Sequence, residues 1–304
     1  MSFTEKIQAR EVDLALLLVA AMWGGSYLSA KTLTEHAPVL TVLSLRFIVT
    51  SLAMLAIWLL KREKVTRQEL LLGIGLGSTQ AFILYCETSG VSHTSATNAG
   101  LIISLAIIFT PILESIASRN WLPRSFFVAT VVAVVGVALL VSDNGFAAPG
   151  IGDWFMLAAA MARALHVTAM GRLTSGKSYS SVTITLLQSI TCGVIYSAFS
   201  LDNIGEAVTS FDLGLWLNLG FLSLLSGAFA FLVTLWAIRR TSSSRASLLL
   251  GTEPVWAVVV GIAIGGERLA VLGVIGAVLI IGSSYFGQKI ETEHRLTKQQ
   301  LPLS

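Results

Sequence analysis

The sequence predicts an all-α polytopic membrane protein with ten transmembrane helices, arranged as two inverted five-helix repeats. Three observations lead to this fold class: the apolar composition, the alternation of basic residues along the chain, and a weak internal repeat. Of the 304 residues, 54% are hydrophobic and only 12% are charged, about half the charged fraction that is usual in soluble domains. A soluble core of this size cannot bury so many apolar side chains, whereas a bilayer accommodates them.

The apolar residues fall into ten segments, each close to the length of about 20 residues that a helix needs to cross a bilayer. The predicted spans are 13–31, 38–60, 69–90, 94–117, 125–142, 152–172, 180–199, 213–238, 244–264 and 269–287. The linkers between them are short, so consecutive helices are antiparallel and no soluble domain is left over. The segments are too long and too continuously apolar for barrel strands. They must therefore form helices, in which the backbone N–H and C=O groups bond to one another within the segment.

The basic residues indicate which side of the membrane each linker faces. Of the 20 Lys and Arg residues, 16 lie in the N-terminal tail, the even-numbered linkers or the C-terminal tail. Only Lys31 and Arg268 lie in odd-numbered linkers, and the linkers that hold Asp143 and Asp202 contain no basic residue. By the positive-inside rule, both termini are predicted to be cytoplasmic, in a multi-pass protein of the bacterial inner membrane.

An internal repeat relates the two halves of the chain. The segment 94–101 (TSATNAGL) matches 241–248 (TSSSRASL) at an offset of 147 residues, and Asp13 matches Asp153 at an offset of 140. Because five spans per repeat is an odd number, the second half enters the membrane in the opposite sense. Inverted repeats are typical of alternating-access carriers, whose substrate site lies near the midplane. The predicted boundaries are 1–148 for the first repeat, 149–288 for the second and 289–304 for a cytoplasmic tail.

Several other kinds of protein are disfavoured by what the sequence contains. Cys86 and Cys192 lie in separate apolar segments without a CxxC or Cys/His cluster, so we predict packed thiols and no metal site. The net charge of +3 is too small to indicate binding to nucleic acid. The absence of HExxH and GxSxG motifs makes an intramembrane enzyme a weak alternative, with no catalytic residue and no cofactor expected. The polar N-terminus shows no cleavage site, so no removable signal peptide is expected.

Three stretches of sequence resemble the drug/metabolite transporter superfamily of EamA type. They are the WGGSYLSAK run that begins at Trp23, the Pro38-to-Arg46-Phe47 segment, and the C-terminal signature. That signature comprises EPVW from Glu253, the GGERL turn from Gly265 and the glycine-rich stretch from Gly273. Together they span both halves. Within the family, the chain looks most like bacterial exporters of aromatic and other amino acids.

Ionisable residues within the spans are costly in a membrane, which makes them candidate functional groups. Arg163 and His166 lie three residues apart near the middle of span six and therefore share one helical face. An arginine can hold a substrate carboxylate through two hydrogen bonds. His166 either titrates near neutral pH or is a hydrogen-bonded packing residue.

Three further charged candidates lie in other spans. For Arg46 the resemblance implies a structural role, such as bonding carbonyls at a broken helix, and substrate contact is the alternative. Glu87 lies near the predicted periplasmic end of span three. A position at the rim of the cavity is therefore as consistent with the sequence as a role inside it. Glu253 precedes Pro254, whose ring removes a backbone hydrogen bond and frees a carbonyl. The Glu253 carboxylate then binds either a substrate ammonium group or a proton, or it pairs with Arg46 or Arg163.

Uncharged residues complete the predicted site. The candidates are Gln80, Asn98, Trp23, Tyr27, Tyr85 and Trp256. An aromatic-lined cavity suits apolar side chains and cations, although aromatic residues near span ends also serve as interface anchors. We expect spans one, three, four, six, eight and nine to line the cavity. Spans five and ten have no polar residue in their middle and are expected to lie outside it.

The family resemblance implies a carrier that exports amino acids, aromatic and other neutral ones, and acts as a monomer. A multidrug or other small-metabolite exporter is the alternative within the same class. A phosphate-ester or nucleotide-sugar exchanger needs several cations in the cavity, and only Arg46 and Arg163 are available in mid-membrane.

Overall fold

The computed structural model of the protein describes residues 3–93, 102–103, 105–119, 121–141, 150–265 and 271–300. Over these residues the regular structure is entirely helical, so the all-α prediction is confirmed. The helices are α1 (Phe3–Thr34), α2 (Val39–Lys61), α3 (Arg67–His93), α4 (Ala106–Ser118), α5 (Arg124–Val141), α6 (Ile151–Thr174), α7 (Ser181–Ala198), α8 (Leu201–Ser210), α9 (Leu213–Ile238), α10 (Ser243–Leu250), α11 (Glu253–Gly265) and α12 (Val271–Gln300).

Six of these helices are long and apolar enough to cross a membrane: α1 from Arg10, α2, α3, α7, α9 and the first part of α12. The described parts of α4 and α5 are shorter apolar helices. Over the described residues, each predicted span overlaps a helix or a pair of helices, but length and composition establish only these six as candidate crossings. The protein is therefore a helical membrane protein, and the count of ten crossings stays a prediction.

The structure differs from the predicted segments at three places. Predicted span nine is two helices, because α10 ends at Leu250 and α11 begins at Glu253. Pro254 occupies the first turn of α11. Backbone N–H groups in the first turn have no intrahelical acceptor, so the N–H that proline lacks costs this helix no hydrogen bond. A short helix, α8, occupies the linker between spans seven and eight. The last helix continues to Gln300, so most of the segment predicted as a separate tail from residue 289 is a helical extension of α12.

The ninth helix is irregular in its middle. Phe221–Phe229 form a π-helical segment between two α-helical ends, a geometry that is common at functional sites. Thr50 of α2 is fixed to this segment, because its hydroxyl lies 2.9 Å from the Ser223 carbonyl oxygen and 2.8 Å from the Arg46 carbonyl oxygen. The π segment therefore positions the part of α2 that carries Arg46.

The helix pairings repeat between the two halves of the chain. Helix α3 packs on α6 and α7, and correspondingly α9 packs on α1 and α2. Helix α4 packs on α5 and α6, and correspondingly α10 packs on α12 and α1. The contacts of α2 with α7, of α5 with α12 and of α4 with α10 join equivalent helices, and α11, the second part of predicted span nine, packs on α1 as α10 does. Exchanging the halves helix for helix leaves this set of pairs unchanged.

Helices α5 and α12 form a closely packed pair. A Cβ atom added at Gly136 would lie 2.8 Å from the Gly276 carbonyl oxygen. Small residues at such contacts let two helix backbones approach, which is how helices associate in lipid. The outer surface of the pair is apolar, and Val278 of α12 is 64% exposed.

A group of polar contacts joins the two halves at the end of the bundle where the chain begins and ends. Arg245 of α10 binds Asp13 of α1 with Nη2–Oδ2 and Nε–Oδ1 distances of 2.6 and 3.0 Å. Its Nη1 lies 3.9 Å from Glu291 Oε2 of α12. Glu114 of α4 accepts hydrogen bonds from the backbone N–H (2.6 Å) and the hydroxyl of Ser244. We refer to these five residues as the terminal polar layer.

Candidate functional site

A cavity lies in the middle of the bundle, between α1, α3, α4, α6, α9 and the junction of α10 with α11. These helices correspond to the predicted spans one, three, four, six, eight and nine, but Arg46 of α2 and Gln188 of α7 also line the cavity, so the predicted set was incomplete. Over the described residues, α5 and α12 contribute nothing to its wall. The predicted site residues that line it are Trp23, Tyr27, Arg46, Gln80, Glu87, Arg163, His166, Glu253 and Pro254.

Arg163 lies between two carboxylates inside the cavity. Its Nη2 atom is 2.6 Å from Glu87 Oε1 and its Nη1 atom is 3.1 Å from Glu253 Oε2. The three side chains are largely buried, with exposed fractions of 20% for Arg163, 9% for Glu87 and 6% for Glu253. Glu253 thus pairs with Arg163, one of the predicted alternatives. Glu87 belongs to the same cluster and not to a solvent-exposed rim, because α3 turns it toward α6.

Arg46 also lines the cavity but has a different environment. Its Nη2 donates a hydrogen bond of 3.3 Å to the Ser226 hydroxyl of the π segment, and its Nε is buried without a hydrogen-bond partner among the residues that the structure describes. The guanidinium carbon lies 5.9 Å from the centroids of both the Phe47 and the Phe231 ring. The predicted bond from Arg46 to a broken-helix carbonyl is not formed, because a serine hydroxyl and two aromatic rings surround the guanidinium.

His166, Gln80 and Gln188 add polar groups to the cavity wall from three different helices. His166 of α6 is buried, and its Nδ1 lies 2.7 Å from the Thr79 hydroxyl of α3. Gln80 of α3 lines the cavity beside that pair, and Gln188 of α7 lines it from a helix that we did not expect to contribute. His166 is therefore a hydrogen-bonded residue in the cavity wall.

Two of the four predicted aromatic residues face the cavity. Trp23 donates from Nε1 to the Ser226 carbonyl oxygen at 3.1 Å, and its ring centroid lies 5.4 Å from the Arg163 guanidinium carbon. The hydroxyl of Tyr27 is buried without a hydrogen-bond partner among the described residues. This places both rings in the wall next to the charged cluster.

The other two aromatic candidates do not line this cavity. Tyr85 is 37% exposed and packs edge-on against Phe155, on the outer side of α3. It follows Leu84, which does face the cavity, and one residue along a helix rotates the side chain by about 100°. Trp256 lies on α11 beyond the cavity-lining residues Glu253 and Pro254 and does not contribute to the wall. Asn98 falls outside the described residues.

The cavity extends toward the end of the bundle away from the termini. Its lining includes Lys31 and Thr34 in the last turn of α1, and Val91 near the end of α3. In the other direction the lining ends at Met170 and Ser247. Beyond them, a cluster of buried apolar residues from α1, α6, α9 and α10 and the terminal polar layer separate the cavity from the end that carries the termini.

We expect solvent to reach the cavity wall and not the outer surface of α12. In a Cys86→Ala, Cys192→Ala background, the Gln80→Cys variant should react with a water-soluble thiol reagent. The Val278→Cys variant should not react, because a thiol in contact with lipid does not ionise or meet the reagent. Mass spectrometry after labelling measures both. Reaction of Val278→Cys without reaction of Gln80→Cys would contradict this arrangement of helices.

The EamA-like transporter family model matches this chain twice, over residues 11–142 and 150–286. The chain belongs to the EamA-like transporter family. Most of the chain lies within the two matched segments, and each match covers one half of the molecule. The protein is accordingly a membrane transporter, as the sequence resemblance predicted, and the family assignment favours transport over enzymatic catalysis.

Similar proteins extend over nearly the whole chain. An uncharacterized transporter of Archaeoglobus fulgidus is 25% identical over 273 residues, which cover 90% of this chain and 96% of that protein. A probable amino-acid metabolite efflux pump of Salmonella typhimurium is 25% identical over 302 residues, covering 95% of this chain and 99% of that protein. A protein of known crystal structure has the same fold, with a TM-score of 0.74 at 15% identity over 93% of this chain and 98% of that one.

Proposed function

We propose that this transporter exports amino acids, aromatic and other neutral ones, from the cytoplasm by alternating access between two inverted repeats. The observation that carries the proposal is the mixed charge of the cavity. One wall holds two carboxylates around Arg163, another holds Arg46, and aromatic rings lie between them. A zwitterion with an apolar or aromatic side chain is the small molecule whose charges and surface such a cavity complements.

Two findings support the inverted repeat. The family model matches each half separately, and the helix pairings stay the same when the halves are exchanged. In inverted-repeat carriers the substrate site lies between the halves near the midplane, where discontinuous helices meet. The break between α10 and α11 adjoins the cavity, and Ser226 of the π segment of α9 accepts hydrogen bonds from Trp23 and Arg46 of the cavity wall. We propose ten crossings in a protein that functions as a monomer.

Orientation follows from the charge asymmetry. We propose that the termini and the terminal polar layer lie in the cytoplasm, so that the described cavity faces the periplasm. A reporter enzyme active only in the periplasm, fused after Ser304, should then give no signal. The same reporter inserted after Gly205, in the linker with acidic residues alone, should be active. Strong activity of the fusion after Ser304 would show that the termini lie in the periplasm, opposite to the proposed orientation.

The direct test is transport by purified protein in liposomes. Each of the twenty amino acids is supplied in labelled form, with and without a pH gradient, and the recovered label is analysed chemically. We expect saturable movement of unaltered aromatic and neutral amino acids, absent from protein-free liposomes. Movement of hydrophobic drugs without movement of amino acids would instead establish the multidrug alternative, and altered label would indicate an enzyme.

A further inference from the structure

We infer that Arg46 is the residue that binds the substrate carboxylate, while the Glu87 and Glu253 carboxylates receive the ammonium group. This inference rests on the proposed function, since it assigns the two ends of an amino acid to two ends of the same cavity. It differs from the sequence prediction that Arg163 holds the carboxylate.

The first step is the contrast between the two arginines. Arg163 already faces two carboxylates, at 2.6 and 3.1 Å. A substrate carboxylate approaching it would compete with both and would be repelled by the excess negative charge. In their ionised forms, Arg163, Glu87 and Glu253 together carry one net negative charge. That end of the cavity therefore attracts cations, and an ammonium group in particular.

The second step is the unused bonding capacity of Arg46. A guanidinium has five N–H donors and accepts no hydrogen bonds. The only hydrogen bond of the Arg46 side chain to a described residue goes to the Ser226 hydroxyl at 3.3 Å, its Nε is buried without a partner, and no described carboxylate pairs with it. The residue is 6% exposed. A buried guanidinium is stabilised best by a planar anion that bonds two of its N–H groups at once, as a carboxylate does.

The third step is the spatial relation of the two charged ends. The Trp23 ring lies 5.4 Å from the Arg163 guanidinium carbon, and the Phe231 ring lies 5.9 Å from that of Arg46. The two ring centroids are 6.1 Å apart. Arg46 and Arg163 thus each approach one ring of the same aromatic pair. The Arg46 guanidinium and the Glu87 and Glu253 carboxylates line the same cavity, so one small zwitterion in that cavity meets a cation for its carboxylate and carboxylates for its ammonium group.

The rest of the wall accounts for a tolerant side-chain site. Ile83 and Leu84 of α3, Ile107 of α4 and Ile103, which precedes α4, contribute apolar surface to the cavity. An apolar wall distinguishes only weakly between hydrophobic side chains that differ by one methylene group. Recognition by the two charged ends therefore predicts selection for the zwitterionic backbone and weak selection among neutral side chains.

The test compares an amino acid that the wild-type protein transports with its amide, which keeps the ammonium group and lacks the carboxylate. The variants are Arg46→Gln, which removes the charge, and Arg46→Lys, which keeps the charge without the planar pair of donors. Arg172→Gln is the matched control, since Arg172 is an exposed arginine at the end of α6. Uptake into proteoliposomes gives the half-saturating concentration for each pair.

For Arg46→Gln we expect the half-saturating concentration of the acid to rise roughly ten- to hundredfold, the equivalent of about 1.5–3 kcal/mol for a charged hydrogen bond. The value for the amide should change less than twofold, and the control should change neither. Arg46→Lys should raise the value for the acid alone, by a smaller factor, and tests the inference even where Arg46→Gln does not fold.

The outcomes separate the two proposals. If the wild-type protein transports no amino acid, the proposed function fails before any variant is compared. If the wild type transports the acid and both Arg46 variants affect acid and amide equally, Arg46 is structural and the inference fails while the function stands. Loss of acid binding in Arg163→Gln, with no loss in either Arg46 variant, would return the carboxylate to Arg163.

Discussion

Replacing Arg163 with glutamine is expected to lower the free energy of unfolding by about 3–5 kcal/mol, the usual cost of removing one partner from a buried ion pair. The substitution leaves the Glu87 and Glu253 carboxylates buried together, each without the guanidinium that lies 2.6 and 3.1 Å away in the wild-type protein. Thermal unfolding in detergent measures the change. For a protein of this size the midpoint should fall by an amount on the order of 10 °C.

A compensating variant distinguishes the loss of a charge pair from a general packing defect. The triple change Arg163→Gln, Glu87→Gln and Glu253→Gln removes all three charges and retains similar side-chain volumes. We expect it to recover most of the lost stability, because replacing a whole buried ion cluster with neutral groups is often close to neutral. It should not recover transport, since the negative end that attracts the ammonium group is gone.

The matched control on the same helix is Arg172→Gln. Arg172 is exposed in the last turn of α6, so its midpoint should stay within about 2 °C of wild type, as for most surface substitutions. If the unfolding midpoint of Arg163→Gln equals that of Arg172→Gln, the ion pairs of Arg163 with Glu87 and Glu253 do not stabilise the protein as expected. A triple variant that is less stable than the single one would contradict that expectation as well.

Replacing Asp13 with asparagine is expected to open the cavity toward the end of the bundle that carries the termini. Asp13 binds Arg245 through two contacts of 2.6 and 3.0 Å, and these join α1 of the first half to α10 of the second. Loss of a charge-assisted hydrogen bond costs about 1.5–3 kcal/mol. If the closed state depends on this pair, the ratio of closed to open molecules should fall roughly ten- to hundredfold.

Thiol labelling measures the opening. A Ser247→Cys reporter, placed where the cavity lining ends nearest the terminal polar layer, is combined with Cys86→Ala and Cys192→Ala. A membrane-impermeant reagent is applied from the side that carries the termini, and Asp13→Asn should increase the labelling rate. Glu11→Gln removes an exposed carboxylate from the same helix and should leave the rate unchanged. Equal rates in the Asp13 and Glu11 variants would show that the polar layer does not hold the halves together.

Much of the architecture could be predicted from the sequence because a bilayer restricts what an apolar chain can do. Long apolar segments must form helices to satisfy their backbone groups, and ionisable residues within them must face protein or water. This reasoning predicted six of the helical spans that line the cavity but not α2 and α7, and it predicted pairing of Glu253 with Arg46 or Arg163 as one alternative. It also predicted correctly that α5 and α12 lie outside, since residues 131–140 of α5 and 271–281 of α12 carry no polar side chain.

Which side chains meet was decided only by the tertiary structure. Glu87 and Arg163 are 76 residues apart and lie on helices whose contact follows from the packing of α3 on α6. Tyr85 was misplaced because a small error in helix rotation moves a side chain from the inner to the outer surface, and apolar neighbours on both sides of α3 give no periodic signal to fix that rotation. Gln188 was missed for the same reason on α7.

The sequence by itself therefore determined that the protein lies in a lipid bilayer and which apolar segments form its helices. It also determined the small set of charged residues that had to face the interior of the bundle. The tertiary structure decided how those charges combine, with Arg163 held by two carboxylates and Arg46 left with one serine hydroxyl. The physical reason is that burial in lipid depends on composition along one segment, whereas the environment of a buried charge depends on the rotation and depth of every helix around it.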